Sequence, residues 1–199
     1  MTEARGSYHH GNLREELVRV ARDLARSDGA EAIGLREATR RAGVTARAAY
    51  RHFADRDALV IAVAVSVLDE MAETIAARQV GQDEGAAMLT AVGEGYIAFA
   101  LDEPGWFDVA FFAMGEKLQP GGQSPYTLLE EALAALVAEG RLAPERVDDA
   151  VMTCWSGVHG FATLTSRGPL RALPRETIDD RARRRRRLGR GRHPTPHAG

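Results

Sequence analysis

The sequence predicts an all-α protein, with an N-terminal bundle of three helices followed by a larger helical bundle. Three observations support this prediction. Apolar residues recur at helical spacing in residues 12–27 and again in residues 55–78. Between these segments, two short helical patterns meet at Gly43. Beyond residue 80 the apolar segments are interrupted by glycine and proline, in a pattern that indicates further helices and not strands.

The first helix is predicted over residues 12–27. Leu17, Val20 and Leu24 recur at i, i+3 and i+7, which places them on one apolar face. Gly29 follows this stretch closely, and a glycine just after the last turn is a common stop signal.

The next segment predicts two short helices joined at a glycine. The first runs from about Leu35 to Ala42, and Gly43 takes the positive φ that a residue with a Cβ resists. Val44 is predicted to be the buried pivot. Thr45 is predicted to be the N-cap of a second helix over residues 46–52.

This second helix is small, basic and aromatic. Its alanines would let it sit deep in the major groove of DNA, and Arg47, Tyr50, Arg51 and His52 supply donors for phosphates and base edges. The pattern therefore indicates a helix-turn-helix reader of DNA. The alternative is an ordinary αα-hairpin whose basic face is only solvated.

A third helix is predicted from its cap residue Asp55 to about Arg78. Its apolar residues keep helical spacing: Leu59, Val60, Val63, Val67, Leu68, Met71 and Ile75. Three helices of this length form the smallest bundle that can hold a recognition helix rigidly.

This order of elements resembles the N-terminal domain of the tetracycline-repressor (TetR) family over about residues 8–70. Four strings carry the resemblance: YHHGNLREELVRVARDLARSDGAEA, AGVT, AYRHF and ADRDAL. The Gly-Val-Thr turn, the Tyr-x-x-Phe pair and the basic residue that opens the next helix all fall in register. The resemblance implies a homodimeric transcriptional regulator, usually a repressor, that leaves its operator when a small molecule binds the C-terminal domain.

The same resemblance implies a set of residues that contact double-stranded DNA. Arg56 stands where the family commonly has a lysine that grips a phosphate. With Arg36 and Arg51, which the resemblance does not itself assign, the full set predicted to contact DNA is Arg36, Thr45, Arg47, Ala48, Tyr50, Arg51, His52 and Arg56.

The chain departs from the family pattern at two places. Gly34 replaces the usual Ser or Thr cap, which weakens the cap by about a few tenths of a kcal/mol. Ala38-Thr39 replaces a large aliphatic residue followed by alanine, so the helix crossing gains a hydroxyl and loses a core side chain. Neither change removes a charged group, and DNA binding remains the expectation.

Composition excludes several classes of site. Cys154 is the only cysteine, which excludes an internal disulfide and a cysteine-based zinc site. Only His9 and His10 are adjacent among the six histidines, so neither a metal centre nor another cofactor is expected. No apolar run approaches the roughly 20 residues that cross a bilayer, and no signal peptide opens the chain. We therefore expect a cytoplasmic protein without a membrane partner.

The net charge of −2 conceals a strong segregation of charge along the chain. Residues 1–60 carry a net charge of +2, residues 61–174 carry −10 and residues 175–199 carry +6. Basic ends and an acidic middle should orient the molecule on DNA.

Aromatic residues concentrate in residues 96–112. They either fill the core, as large apolar side chains do by default, or line a cavity between helices, where bundles bind apolar ligands. The pocket interpretation favours a hydrophobic or aromatic effector, with Tyr96, Trp106 and His159 as polar handles. Its candidate residues are Tyr96, Phe99, Trp106, Phe107, Phe111, Trp155 and His159.

Residues 155–161, WSGVHGF, resemble the Trp/His-Gly signature of one C-terminal subclass of this family. Gly157 and Gly160 each cost a helix about 1 kcal/mol relative to alanine, which indicates the close approach of another helix. We therefore place this segment at the dimer interface or against the pocket wall. The alternative for His159 is a buried histidine whose hydrogen bonds are satisfied.

These patterns divide the chain into four parts. They are a flexible N-terminal arm (1–9), a helix-turn-helix domain (10–57), a helical ligand-binding and dimerisation domain (58–174) and a basic tail (175–199). The tail contains ARRRRRLGRGRHPTPHAG, which can bury little apolar surface, so we expect it to be disordered. Either the last helix of the family is truncated near Ala182, or the tail adds nonspecific affinity for DNA.

Two functions from other classes are weighed against the regulator. A helical enzyme needs convergent acid, base or nucleophilic groups, but the acids here are scattered, and Asp148 and Asp149 point about 100° apart on a helix. No enzyme is expected.

The other alternative is a helical ligand-binding or scaffold protein whose helix-turn-helix has lost its affinity for DNA. Gly34, Thr39 and the unusual tail would fit such a protein. In a gel shift with the DNA beside its own gene, sequence-specific retention favours the regulator, and salt-sensitive smearing favours this alternative.

Overall fold

The computed structural model describes residues 13–113 and 123–188, and side chains as far as residue 182. Within these ranges all regular secondary structure is helical, which confirms the all-α prediction. No helix in the described ranges is both long and apolar enough to cross a membrane. The α-helices are α1 (Leu13–Asp28), α2 (Leu35–Ala42), α3 (Ala46–Ala49), α4 (Arg56–Gln79), α5 (Gly85–Asp102), α6 (Pro104–Phe112), α7 (Pro125–Ala138), α8 (Val147–Ser166) and α9 (Arg175–Leu188).

Two compact units make up the described structure. The N-terminal unit contains residues 13–70 and 103–113, and the C-terminal unit contains residues 71–102 and 123–188. This division differs from the predicted domain boundary between residues 57 and 58. The first part of α4 and all of α6 belong to the N-terminal unit.

α1 forms because one of its faces is continuously apolar. Leu17, Ala21 and Leu24 are at most 1% exposed. On the outer face, Arg19 pairs with a carboxylate one turn away in each direction, at 2.6 and 3.0 Å. Gly29 takes a φ of 82° directly after the helix. The predicted limits of this helix are therefore correct to within one residue.

α4 begins as predicted. The Asp55 carboxylate accepts a hydrogen bond from the Ala58 N–H at 2.8 Å and caps the helix. Leu59 and Val63 are fully buried in the N-terminal unit, and Ile75 is fully buried in the C-terminal unit. One helix thus supplies core side chains to both units.

α6 packs against α1 inside the N-terminal unit. A Cβ on Gly105 would lie 2.3 Å from the Ala25 carbonyl oxygen, so this approach requires glycine. The Trp106 Nε1–H donates to the Arg22 carbonyl oxygen at 2.8 Å. The guanidinium carbons of Arg22 and Arg26 lie 4.3 and 4.9 Å from the centroid of the same indole. The predicted ligand-binding domain includes this segment, whereas in the structure its residues dock α6 on α1.

α5 is the central helix of the C-terminal unit and contacts α7, α8 and α9. Two of its glycines allow close approaches. A Cβ on Gly85 would lie 2.7 Å from the backbone nitrogen of Leu136 in α7. A Cβ on Gly95 would lie 2.9 Å from Cγ1 of Ile75 in α4. Small residues therefore let α5 pack closely against helices on two of its sides.

The prediction of a disordered tail from residue 175 is wrong for its first part, because Arg175–Leu188 forms α9. Ile178 is only 3% exposed and anchors the helix. The Arg175 guanidinium donates to Asp102 at 2.7 Å and to Asp179 at 3.1 Å, and these hydrogen bonds raise the pKa of Arg175. The predicted truncation near residue 182 is also wrong. Residues 189–199 and the predicted N-terminal arm lie outside the described residues.

Two glycines inside helices provide a matched test of this packing. Gly105→Ala should lower the free energy of unfolding by about 1–3 kcal/mol, because its Cβ would collide with backbone. Gly93→Ala in α5 should raise it by about 0.5–1 kcal/mol, because a Cβ there meets nothing within 4 Å. Urea denaturation of both variants measures the difference. A loss of stability of similar size in both would contradict the close α1–α6 contact.

Candidate DNA interface and ligand cavity

The turn between α2 and α3 depends on Gly43. Its φ of 69° is left-handed, as the sequence predicts. The Gly43 and Val44 N–H groups both donate to the Thr39 carbonyl oxygen and close the end of α2. Val44 is half-buried, and so the prediction of a fully buried pivot is wrong.

Thr45 caps the second helix, as predicted. Its Oγ1 accepts a hydrogen bond from the Ala48 N–H at 3.3 Å. The regular helix α3 covers only Ala46–Ala49, whereas the prediction ran to residue 52. The chain continues as a turn in which the Phe53 N–H donates to the Ala49 carbonyl oxygen at 3.0 Å. Residues 45–52 therefore form one compact, hydrogen-bonded projection.

Two apolar residues fix the orientation of this projection. Ala49 is fully buried and Phe53 is 2% exposed. The side chains that the sequence predicts to contact DNA lie on the other side of the projection. Tyr50 is 56% exposed. Thr45, Arg47, Arg51 and His52 are also exposed, and Ala48 is half-buried.

The arginines of the α2–α3 hairpin fall into two classes. Arg40 and Arg41 bind the Glu37 carboxylate at 2.6 and 2.9 Å, and their hydrogen bonds lower its pKa to about 2. Arg36, Arg47 and Arg51 are exposed, and their side chains have no ion pair or hydrogen bond to any described residue. These three guanidinium groups are the cations of the hairpin that remain available to an external anion.

Arg56 has a structural role that the sequence analysis missed. Its Nε donates to the Ile33 carbonyl oxygen at 2.8 Å, and its Nη2 donates to the Ala30 carbonyl oxygen at 3.0 Å. These bonds tie the start of α4 to the 3-10 turn Ala30–Ala32. The acceptors are backbone groups, which residue types in a sequence do not reveal.

The two departures from the family pattern leave the hairpin intact. Gly34 provides no side-chain cap to α2, as expected, yet the helix begins directly after it at Leu35. Thr39 is 4% exposed, and its Oγ1 donates to the Arg36 carbonyl oxygen at 2.8 Å. The buried hydroxyl is therefore satisfied and is not a source of strain.

The seven candidate ligand-binding residues are divided between the two units. Trp106, Phe107 and Phe111 belong to α6 in the N-terminal unit. Phe107 is fully buried, and its ring lies 4.8 Å from that of Phe111. This packing supports the core interpretation for Phe107, whereas Phe111 is half-buried and the Trp106 indole also lines a groove of about 520 Å³ between α1 and α4. Tyr96 and Phe99 belong to the C-terminal unit, as do Trp155 and His159 of α8.

The C-terminal unit contains a cavity of about 530 Å³ between α5, α7, α8 and α9. Tyr96 and Trp155 line it, as predicted. Phe99 is 5% exposed and does not line it. The cavity residues that sequence reasoning missed include Leu89, Thr90, Gly93, Glu94, Ile97, Arg141, Thr153, Cys154 and Ala182.

A neutral hydrogen bond lies beside this cavity. The Tyr96 hydroxyl is 2.8 Å from Nδ1 of His159, and the two rings meet edge to face. Burial raises the pKa of Tyr96 and lowers the pKa of His159, so both groups are uncharged at neutral pH. His159 also stacks on Trp155, with ring centroids 6.3 Å apart. Burial likewise raises the pKa of the Cys154 thiol.

One stripe of α8 is exposed along most of the helix. Its members are four residues apart: Met152, Ser156 and Leu164 are exposed, and Gly160 is half-buried. Met152 is 60% exposed and Leu164 is 43% exposed. A Cβ on Gly160 would meet nothing within 4 Å. The close helix approach expected at this glycine is therefore not made by another described helix of the same chain.

Replacing Arg56 tests its structural role. Arg56→Ala should lower the melting temperature, because two backbone carbonyl oxygens lose their guanidinium donor. Arg51→Ala is the matched control, since the Arg51 side chain binds no described residue and its loss should leave the melting temperature unchanged. Thermal unfolding followed by circular dichroism measures both. Equal melting temperatures for Arg56→Ala and the wild type would show that the two hydrogen bonds do not stabilise the fold.

Solved structures from several bacteria share this fold. A protein of unknown function from Rhodococcus sp. RHA1 is 26% identical, with a TM-score of 0.74 over 93% of this chain and 98% of that one. A TetR/AcrR-family transcriptional regulator from Thermobifida fusca is 20% identical, with a TM-score of 0.63 over 92% and 100%. RolR in complex with resorcinol is 18% identical, with a TM-score of 0.61 over 86% and 93%. No curated protein matches the chain.

Two family models match the chain and together cover most of it. The model for bacterial regulatory proteins of the tetR family matches residues 17–63, which include the complete α2–α3 hairpin. The model for the tetracyclin repressor-like C-terminal domain matches residues 89–185, which contain most of α5 and all of α8. The resemblance to the Trp/His-Gly subclass remains a prediction. The chain belongs to the TetR family and is a DNA-binding transcriptional regulator, not an enzyme.

Proposed function

We propose that this protein is a ligand-responsive repressor that works as a homodimer. It binds operator DNA through the outward face of residues 45–52. It leaves the operator when a small, mostly apolar molecule fills the cavity of the C-terminal unit.

The DNA assignment rests on one observation, the presence of unpaired donors on an exposed projection. The arginines at the end of α2 are already bound to Glu37, whereas Arg36, Arg47 and Arg51 bind no described residue. An unpaired guanidinium can bind a phosphate or a guanine edge without first breaking an ion pair. Tyr50 adds an exposed hydroxyl on the same projection.

The remaining predicted contacts have supporting roles in this proposal. Thr45 and Ala48 are small, so the projection can enter a major groove closely. His52 provides a further exposed donor. The Nη1 group of Arg56 has no partner among the described residues, and we propose that it holds a phosphate while Nε and Nη2 keep the side chain in place.

Single substitutions on the projection test the DNA assignment. Arg47→Ala and Tyr50→Ala should each weaken specific operator binding by about 1–3 kcal/mol, or roughly 5- to 150-fold, without lowering the melting temperature. Arg40→Ala is the matched control, because Arg40 is similarly exposed but already paired with Glu37. Fluorescence anisotropy at moderate salt, with a specific site selected from the DNA beside the gene, measures the affinities. A larger loss for Arg40→Ala than for Arg47→Ala would contradict the assignment.

The dimer interface is proposed on the exposed stripe of α8. Ser156 and Gly160 are small and lie between two large apolar side chains, Met152 and Leu164. A helix of a second copy could approach the small residues and bury the apolar ones. A twofold pair of reader projections is also what a palindromic operator requires.

A charge introduced on this stripe should dissociate the dimer. Leu164→Glu places a carboxylate in the proposed interface, where it would be desolvated without a partner. Val80→Glu is the matched control, because Val80 is apolar and 80% exposed but lies off α8. Sedimentation velocity at micromolar concentration should give a monomer for Leu164→Glu and a dimer for the control and the wild type. A dimer in all three would place the interface elsewhere.

The effector site is proposed in the cavity of the C-terminal unit. Its volume lies within the range of ligand pockets, roughly 300–1,000 Å³, and apolar residues of α5 such as Leu89 and Ile97 line it. Gly93 opens space on the α5 side, since a Cβ there would meet nothing within 4 Å. RolR, which has the same fold, was solved with the aromatic compound resorcinol. These observations support a small aromatic or apolar effector.

Filling the cavity should separate effector response from DNA binding. Gly93→Leu places a side chain in the open space and should abolish binding of any probe that the wild type binds, with operator affinity unchanged. Gly93→Ala is the control, because a single methyl group leaves most of the volume free. Titration calorimetry with resorcinol, tert-butylbenzene and phenyltrimethylammonium measures probe binding. Unchanged probe binding in Gly93→Leu would show that the cavity is not the site.

A further inference from the structure

We propose that the effector is a lipophilic cation, an organic ammonium attached to an aromatic or bulky apolar group, and that Glu94 is its counter-charge. This inference rests on the proposed effector cavity. It adds the chemical class of the molecule that the cavity selects.

Glu94 is the only carboxylate that lines the cavity within the described residues. It lies on α5 between Gly93 and Gly95, and it is half-buried. Its side chain forms no hydrogen bond or ion pair with any residue that the structure describes. A ligand that fills the cavity would remove this carboxylate from water, and a cationic group on that ligand would offset the cost of its desolvation.

Arg141 is the cation that lines the same cavity, but its charge is already matched. Its Nη1 lies 3.3 Å from the Glu139 carboxylate. Glu139 also accepts a hydrogen bond from the Gly85 N–H at 2.6 Å. No ion pair joins Arg141 to Glu94. The charged side chains of Glu94, Arg141 and Glu139 together therefore carry one net negative charge, which favours a cation over a neutral or anionic ligand.

The aromatic side chains that line the cavity can contact the apolar part of such a ligand. The Trp155 ring lines the cavity, and indole gives the strongest cation–π attraction among the aromatic side chains. Tyr96 meets Trp155 edge to face at 5.5 Å and holds the ring in place. The neighbouring His159 is kept neutral, since burial lowers its pKa, and it adds no positive charge that would repel a cation.

The test compares two probes of the same shape and different charge. Phenyltrimethylammonium and tert-butylbenzene differ only in the replacement of a cationic nitrogen by carbon. The full-length wild type should bind the ammonium at least about tenfold more tightly in titration calorimetry. Glu94→Gln keeps the size of the side chain and removes its charge. It should remove most of this preference, leaving only the part that the Trp155 ring supplies, and it should leave the affinity for tert-butylbenzene unchanged.

Glu131→Gln is the control for long-range electrostatics. Glu131 is exposed on α7 and does not line the cavity, so its loss should leave the preference for the ammonium intact. An equal effect of the Glu131 and Glu94 substitutions would overturn the role of Glu94.

The remaining outcomes are distinct. If tert-butylbenzene binds the wild type as tightly as the ammonium, the cation inference fails while the cavity proposal stands. If resorcinol binds more tightly than the ammonium and loses affinity in Glu94→Gln, Glu94 accepts a hydrogen bond from a hydroxyl ligand, and the cation inference again fails. If none of the three probes binds, both the inference and the proposed cavity are contradicted.

Discussion

The projection formed by residues 45–52 depends on two structural constraints. They are the left-handed turn at Gly43 and the burial of Ala49 and Phe53. Gly43 ends α2 and lets the chain reverse, because its φ of 69° costs glycine no steric strain. The two buried residues then hold one side of the next segment against the N-terminal unit. As a consequence, the side-chain donors of Arg47, Tyr50, Arg51 and His52 are exposed. In the proposed function, the packing beneath the surface therefore determines which side chains can contact DNA.

Local signals allowed much of the N-terminal fold to be predicted from sequence. Helical periodicity placed α1 to within a residue, and the caps at Thr45 and Asp55 were correct because a cap depends on neighbours only three residues away. The predictions were wrong where contacts between residues far apart in the sequence determine whether a segment is helical. Arg175 binds Asp102 across 73 residues of sequence, and this contact helps a strongly basic segment to form α9. A pattern within the segment itself indicated only low apolar content.

The candidate ligand-binding residues were only partly brought together, for a different physical reason. Aromatic residues were taken as markers of a cavity, yet the Trp106 indole donates to the Arg22 carbonyl oxygen and stabilises the docking of α6. The cavity of the C-terminal unit has open space where a side chain is absent, as at Gly93. The residue types in a sequence do not reveal where helices leave a cavity between them. Tyr96 and Trp155 do line the cavity, and both are large, polar at one end and part of the same helical unit.

The central claim is that residues 45–52 of two copies enter successive major grooves of one duplex. Hydroxyl-radical footprinting of the full-length protein, on the DNA beside its own gene, tests this most directly. We expect two protected patches related by a twofold axis, on one face of the duplex and about one helical turn, roughly 34–36 Å, apart. Uniform or salt-labile protection without such a pair of patches would contradict the account.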